Sequence, residues 1–137
     1  MTELPAGVTI RDWQADDFPA IQRLSDAEGW PTPTSRAVES LHSWRQAQIT
    51  LVAVANDEII RFLRGLSDGA VTSYVAELLV APDWRGRGIA AALLDEAHQR
   101  FPSTRIDLLA TPESSRFYER IGFYPFAGFR RSGLSNR

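Results

Sequence analysis

Apolar residues along this chain recur with two different periods, and the changes of period divide it into elements. Residues 8–13 (VTIRDW) alternate apolar and polar positions as a short strand does. Phe18, Ile21 and Leu24 then recur at helical spacing, which predicts a helix over 15–28. Asp16 and Asp17 stand near its start, where the helix dipole favours acids. The prolines of "GWPTPTS" predict a stiff loop over 29–35, and a stripe of Val38, Leu41 and Trp44 predicts a second helix over 35–47. From Ile49 the period becomes that of strands. "ITLVAVA" (49–55), "EIIRFLRGL" (58–66) and "AVTSYVAELLV" (70–80) are separated by turn signals at Asn56-Asp57 and 67–69. They predict an antiparallel meander whose last strand is the longest.

After Pro82 the spacing returns to that of a helix. Ile89, Leu93, Leu94, Ala97 and Phe101 share one face, Asp95, Glu96, Gln99 and Arg100 lie largely on the other, and Pro102 ends the run. A strand over 104–110 follows. Strand, helix and strand in that order predict a right-handed crossover between parallel strands. "TPESSRFYERIGF" reads as a capped helix, with Thr111 at the N-cap, Pro112 in the first turn and Gly122 as the left-handed residue past the end. A last strand over 123–129, interrupted by Pro125, and a frayed tail complete a mixed α/β pattern.

Composition narrows the chemistry. With 137 residues, 44% hydrophobic and 23% charged, the chain reads as one globular domain over 1–137, its ends at 1–6 and 132–137 expected to be flexible. A net charge of -2 gives no general attraction to nucleic acid or an anionic membrane, so any anion site must be local. The absence of cysteine removes thiolate metal sites and cysteine nucleophiles. Two histidines, His42 and His98, lie far apart in sequence, and no metal is expected. No signal peptide and no apolar run near the ~20 residues of a membrane span are read, so the expected location is cytoplasmic.

The basic, glycine-rich segment Arg85-Gly86-Arg87-Gly88-Ile89-Ala90 lies between a long strand and an amphipathic helix. The first helical turn leaves N–H groups unpaired at the positive end of the dipole, and glycine lets the backbone approach an anion closely. The phosphate-loop pattern Gly-x-x-x-x-Gly-Lys-Ser/Thr is not met. The dinucleotide pattern also fails, because Ala91 follows Gly86 and Gly88. A solvated turn, or an RNA contact through "RGRG", stays open on the loop alone.

Arg85-x-x-Gly88-x-Ala90, after "ELLVAPDW" and before "AALLDEA", is similar to the Gln/Arg-x-x-Gly-x-Gly/Ala signature of the GNAT family of acyl-CoA-dependent amine acetyltransferases. "SSRFYERIGF" resembles the family's helix with an aromatic pair ending in Gly-Phe, and the element order matches over nearly the whole chain. The resemblance implies a mixed sheet with helices on both faces. It also implies transfer of acetyl from acetyl-CoA to a primary amine of a small molecule or peptide, by direct attack in a ternary complex.

Residue by residue, it implies that the N–H groups of Arg85, Gly86, Arg87, Gly88, Ile89 and Ala90 hold the CoA pyrophosphate. The main chain of Leu79 and Val80 would lie beside the pantetheine arm, at a splay between parallel strands, unless both are plain core strand. Tyr118 stands where many members place the acid for the departing thiolate, and a phenol with a pKa near ~10 is protonated at neutral pH. It also fits a core tyrosine. Glu77, the only acid of its strand, is implied as base, or equally as an ion-pair partner of Arg61 or Arg64. Ser115 is implied near the CoA arm, and Trp30 and Tyr74 either wall the acceptor pocket or pack internally. Thr111 replaces a frequent Asn and Arg61 a frequent Gly. A homodimer is an option in this family, as is a non-catalytic acyl-CoA-binding module.

Overall fold

Five strands form one sheet in chain order: β1 (Val8–Asp12), β2 (Ile49–Ala55), β3 (Glu58–Ser67), β4 (Thr72–Val80) and β5 (Arg105–Leu108). A computed structural model describes residues 3–80 and 85–134; the strand-to-helix switch expected at Pro82, and residues 1–2 and 135–137 of the ends expected to be flexible, lie outside them. β1 to β4 are antiparallel and β5 runs parallel to β4, as the meander and crossover predict. β1 adds a fourth antiparallel strand, with Val8 opposite Ala55 and Ile10 opposite Ala53.

Alternation along the strands gives the sheet two apolar faces, each covered by helices. On one, α4 (Ile89–Arg100) sets Ile89, Leu93, Leu94 and Ala97 against Leu51, Ala53, Leu63 and Val75. Phe117, Tyr118 and Ile121, on or just past α5 (Ser115–Arg120), join that core. On the other, α1 (Phe18–Ala27) and α3 (Ala37–Gln46) bring Phe18, Ile21 and Trp44 onto Val52, Phe62 and Leu79. Trp44 is fully buried, its ring 5.3 Å from Trp13 and 5.5 Å from Phe62. Each such large side chain contributes about 1.5–3 kcal/mol by burial.

Several local expectations need correction. The first helix opens as a 3-10 turn at Ala15–Asp17, and the proline loop contains a short helix, α2 (Thr32–Ser35). Val38 is 81% exposed. The buried and half-buried apolar positions in α3 are Ala37, Leu41 and Trp44, spaced by four and three, whereas a strict spacing of three drifts off the face. β3, not β4, is the longest strand, at 10 residues. Ala70 and Val71 stay outside β4 because the Asp68 carboxylate accepts their N–H groups and that of Thr72, holding a tight turn. No strand forms over 123–129: Pro125 removes a ladder donor, and Tyr124, Phe126 and Phe129 are exposed.

What positions the site is the way β4 and β5 part. They pair only from Thr72 to Val75, opposite Arg105 to Leu108. At this closed end Ser73 Oγ and Thr104 Oγ1 are hydrogen-bonded at 2.8 Å, both buried. A bulge between Arg64 and Gly65 in the β3–β4 register falls at the same level. Beyond it β4 continues to Val80 paired with β3 alone among the described residues. Its other edge therefore presents main-chain donors and acceptors to an open slot.

Candidate functional site

Loop 85–88 leads directly into α4. Gly86 and Gly88 both have φ of +78°, a conformation that side chains rarely adopt, and Gly88 is the N-cap. The first hydrogen bond of the helix runs from the Ala92 N–H to the Gly88 carbonyl at 3.0 Å. Ile89, Ala90 and Ala91 therefore have no acceptor within the helix for their N–H groups. Ile89 and Ala90 are buried, which fixes this turn on the sheet, while residues 85–88 are exposed. Arg85 forms an ion pair with Glu28, at the end of α1, so the loop is tied to the layer across the sheet. The loop's geometry suits an anion.

The slot between β4 and β5 ends beside this loop. Leu79 and Val80 lie on the open edge, and the Leu79 side chain is buried with Phe62 in the α1–α3 core. Core strand and open main chain thus coexist at Leu79.

On the other wall, α5 is built as the sequence predicts, with one shift. Helix proper begins at Ser115, and Thr111 caps the turn before it: its Oγ1 accepts the Ser114 N–H at 3.3 Å while Ser114 Oγ accepts the Thr111 N–H at 3.0 Å. At the far end Gly122 has φ +100°, with Phe123 N–H bonded to Tyr118 O at 3.0 Å and Gly122 N–H to Glu119 O at 3.2 Å. Those two bonds are a Schellman motif, and they pin the backbone of Tyr118 itself. The Tyr118 ring lies 5.1 Å from Phe117 and 5.6 Å from Phe123. Its hydroxyl has no hydrogen-bond partner among the described residues. Burial raises the phenol above its ordinary value, and the nearby Arg61 charge opposes that shift. Ser115 is half-buried in the first turn.

Glu77 belongs to the opposite face. Its register partner is Arg64, which donates to Oε1 from Nε at 3.0 Å and Nη2 at 2.8 Å. Of the two arginines weighed as partners, Arg64 is the one bound. Oε2 is buried and unpaired among the described residues. Tyr74, opposite Leu66, points to the same side as Glu77 and is half-buried. Trp30 is 39% exposed just past α1, on that side of the sheet. Cofactor-side and acceptor-side candidates are thus separated by the sheet and joined through its slot.

Arg61, weighed from the sequence as a partner of Glu77, lies instead within electrostatic reach of Arg85 and Tyr118. Arg61 is 2% exposed, and its Nε is buried with no partner among the described residues. Burial, the Arg85 charge and, in the opposite sense, Tyr118 bring its guanidinium down to about 9. A charge between Ile60 and Phe62 was the available signal.

Residues 46–125 match the family model described as Acetyltransferase (GNAT) domain, and the chain belongs to the GNAT acetyltransferases. Among relatives, it is 24% identical over 108 residues to ycf52 of Pyropia yezoensis, described as an uncharacterized N-acetyltransferase, covering 75% of this chain and 62% of that protein. The chain thus spans about three fifths of that relative's length. The fold is shared with a GNAT-family acetyltransferase from Streptococcus pneumoniae at a TM-score of 0.75, with 21% identity over 93% of this chain and 99% of that one. It is shared also with AAC(6')-Iy, solved with the bisubstrate analog CoA-S-monomethyl-acetylneamine, at a TM-score of 0.73, with 19% identity over 93% and 99% of the two chains. Among the described residues no helix is long and apolar enough to cross a membrane.

Proposed function

We propose that the protein transfers acetyl from acetyl-CoA to a primary amine of a small molecule or peptide. The observation that carries this reading is the slot between β4 and β5, with the free N-terminus of α4 at its mouth and Tyr118 and Glu77 on its two sides. Support also comes from AAC(6')-Iy, a structure of the same fold bound to a CoA-containing bisubstrate analog.

In this reading the N–H groups of residues 85–90 bind the pyrophosphate, and the edge of Leu79 and Val80 pairs with the pantetheine amides as an added strand would. Ser115 lies beside that arm. The acceptor enters from the side of Trp30 and Tyr74. Glu77 takes a proton from the incoming ammonium on Oε2 through a water, leaving a neutral amine. The amine nitrogen bonds to the thioester carbonyl carbon, and the carbon–sulfur bond breaks as Tyr118 gives its hydroxyl proton to the sulfur. The surplus proton on the nitrogen passes through water to the tyrosinate, leaving the amide and the free thiol. No metal and no nucleic acid take part, the whole of 1–137 acts as one domain, and the setting is cytoplasmic. A homodimer is compatible with the site.

A thermal-shift titration tests binding: a ligand at ~100 times its Kd adds ~2.7 kcal/mol. Thiol release against a panel of amines, amino acids, polyamines and peptides tests turnover. No shift at millimolar acetyl-CoA would sink the reading. A shift with no turnover on any amine would leave an acyl-CoA-binding module.

A further inference from the structure

Three aromatic side chains lie open on the segment that follows α5. Tyr124 is 77% exposed, Phe126 84% and Phe129 95%, and the rings of Tyr124 and Phe126 stand 6.1 Å apart. Leu109, exposed as well, lies against Gly128 of the same segment just past the end of β5. Scattered surface apolar residues are ordinary, but a run of exposed rings this close in the chain marks a contact surface.

The neighbouring strand says what fits there. β5 is the outermost strand of the sheet, and among the described residues it pairs with β4 alone. Ile106 and Leu108 turn toward the α4 core, while Arg105 and Asp107 share the other face, exposed and paired with one another at 3.4 Å. Edge charges of a single sign repel a second strand. An arginine and an aspartate two residues apart do the reverse. About a two-fold axis at Ile106, Arg105 of each copy stands opposite Asp107 of the other, so the edge is complementary to itself. The same antiparallel register sets Leu109 of one copy opposite Ser103 of the other. It thereby brings each aromatic segment toward the end of the second copy's α4, where Asp95, His98, Gln99 and Pro102 line a groove of about 370 Å³.

We infer that this surface joins two copies of the chain, β5 edge to β5 edge in antiparallel register, with Tyr124, Phe126 and Phe129 of each copy packed on the other. The area supports a second copy as the occupant. An aromatic side chain buries about 150–250 Å², so at their exposures the three rings offer roughly 400–600 Å² per copy. Over two copies that is roughly 800–1,200 Å² before the strand edges are counted, and a stable interface buries about 1,200–2,000 Å². The sheet then runs through both copies, with the slot of each one strand away from the axis. The interface is independent of the acyl-CoA reading above and stands whether or not an amine is acetylated.

Sedimentation velocity between ~1 and ~100 µM tests this, with the fold of each variant checked by circular dichroism. The wild-type chain should sediment as a dimer within that range. Asp107→Arg, which sets like charges against each other across the axis, should weaken the dimer at least tenfold, and the swap Arg105→Asp with Asp107→Arg should restore it. Phe126→Ser with Phe129→Ser should weaken it by at least as much. Opposed residues of antiparallel strands have Cα atoms about 4.5–5.5 Å apart, within disulfide range. The chain contains no cysteine, so Ile106→Cys should give a covalent dimer on oxidation. Where that variant does not fold, the charge reversal and its swap decide alone. A wild-type chain that stays monomeric at ~100 µM overturns the inference, whatever else the aromatic segment then binds. So does a dimer as tight in Asp107→Arg as in wild type, or one that the double serine variant leaves unchanged.

Discussion

Arg64 donates two hydrogen bonds, at 3.0 and 2.8 Å, to a single oxygen of Glu77, and the other carboxylate oxygen is buried without a partner among the described residues. A carboxylate recruited only for charge balance would be expected to use both oxygens, since an unpaired buried acceptor is costly. Glu77 is instead oriented by Arg64 with Oε2 left over. Glu77→Gln should therefore lower kcat about 10²-fold or more, by loss of the base, while Arg64→Gln, of similar cost in stability, lowers it far less. Equal losses of kcat in the two variants would reduce Glu77 to a structural partner.

The Tyr118 ring is packed by Phe117 and Phe123, but its hydroxyl has no bond within the chain among the described residues. Tyr118→Phe should leave the melting temperature nearly unchanged and lower kcat by about 10²-fold or more. In the proposed role the phenol works in its protonated form, so activity should fall as pH rises through the tyrosine's pKa. Burial raises that pKa above its ordinary value near ~10. An alkaline decline well below pH ~10 that vanishes in Tyr118→Phe would contradict the environment described for this residue.

How much of this was legible follows from which signals are local. The meander and α4 are periodic patterns, and the caps of α5 are Thr, Pro and Gly at fixed offsets, so the sequence displays them. The family motifs added the loop, and with it the slot. Which arginine meets Glu77 was not legible: in "EIIRFLRGL" Arg61 and Arg64 look alike, and the register beside the bulge decides that Arg64 faces Glu77 while Arg61 faces the opposite core. The same holds for the C-terminal segment. "FYPFAGF" has the composition of a strand, but a strand needs an edge to pair with, and β5 ends at Leu108. Gly128 instead lies so close to Leu109 that a Cβ there would collide with its side chain.

Gly122 offers a test of how α5 holds its tyrosine. Its φ of +100° ends the helix and turns Phe123 N–H back to Tyr118 O at 3.0 Å. An L side chain at that φ is strained by about 1–2 kcal/mol. Gly122→Ala should lower stability by that amount. It should also lower kcat more than it weakens CoA binding, because the displaced backbone carries the proposed acid and not the loop. Denaturant titration and steady-state kinetics together separate the two effects, and a loss confined to CoA affinity would count against the assignment.

Acid should weaken the fold at a named place. The Asp17 carboxylate, 8% exposed, is gripped by Arg11 through both oxygens, at 2.8 and 3.0 Å, and accepts the Gln14 N–H at 2.7 Å. The bond from Arg11 is the main cause that holds Asp17 below the usual carboxylate range, with burial opposing and the Gln14 N–H assisting. A depressed folded pKa means that the unfolded chain takes up the proton first as pH falls. The stabilisation is therefore complete above the ordinary aspartate pKa of ~3.9 and is lost as pH drops through the lower folded value. Asp17→Asn should cost about 1–3 kcal/mol at neutral pH, since Arg11 loses its charged partner. Below pH ~4 that difference from wild type should shrink, because the wild-type carboxylate is then being neutralised as well. Urea unfolding of both proteins between pH 7 and pH ~2 measures this. A gap between them that stays constant across the range would show that Asp17 titrates alike in the folded and unfolded chains, against the pairing that closes β1 onto the start of α1.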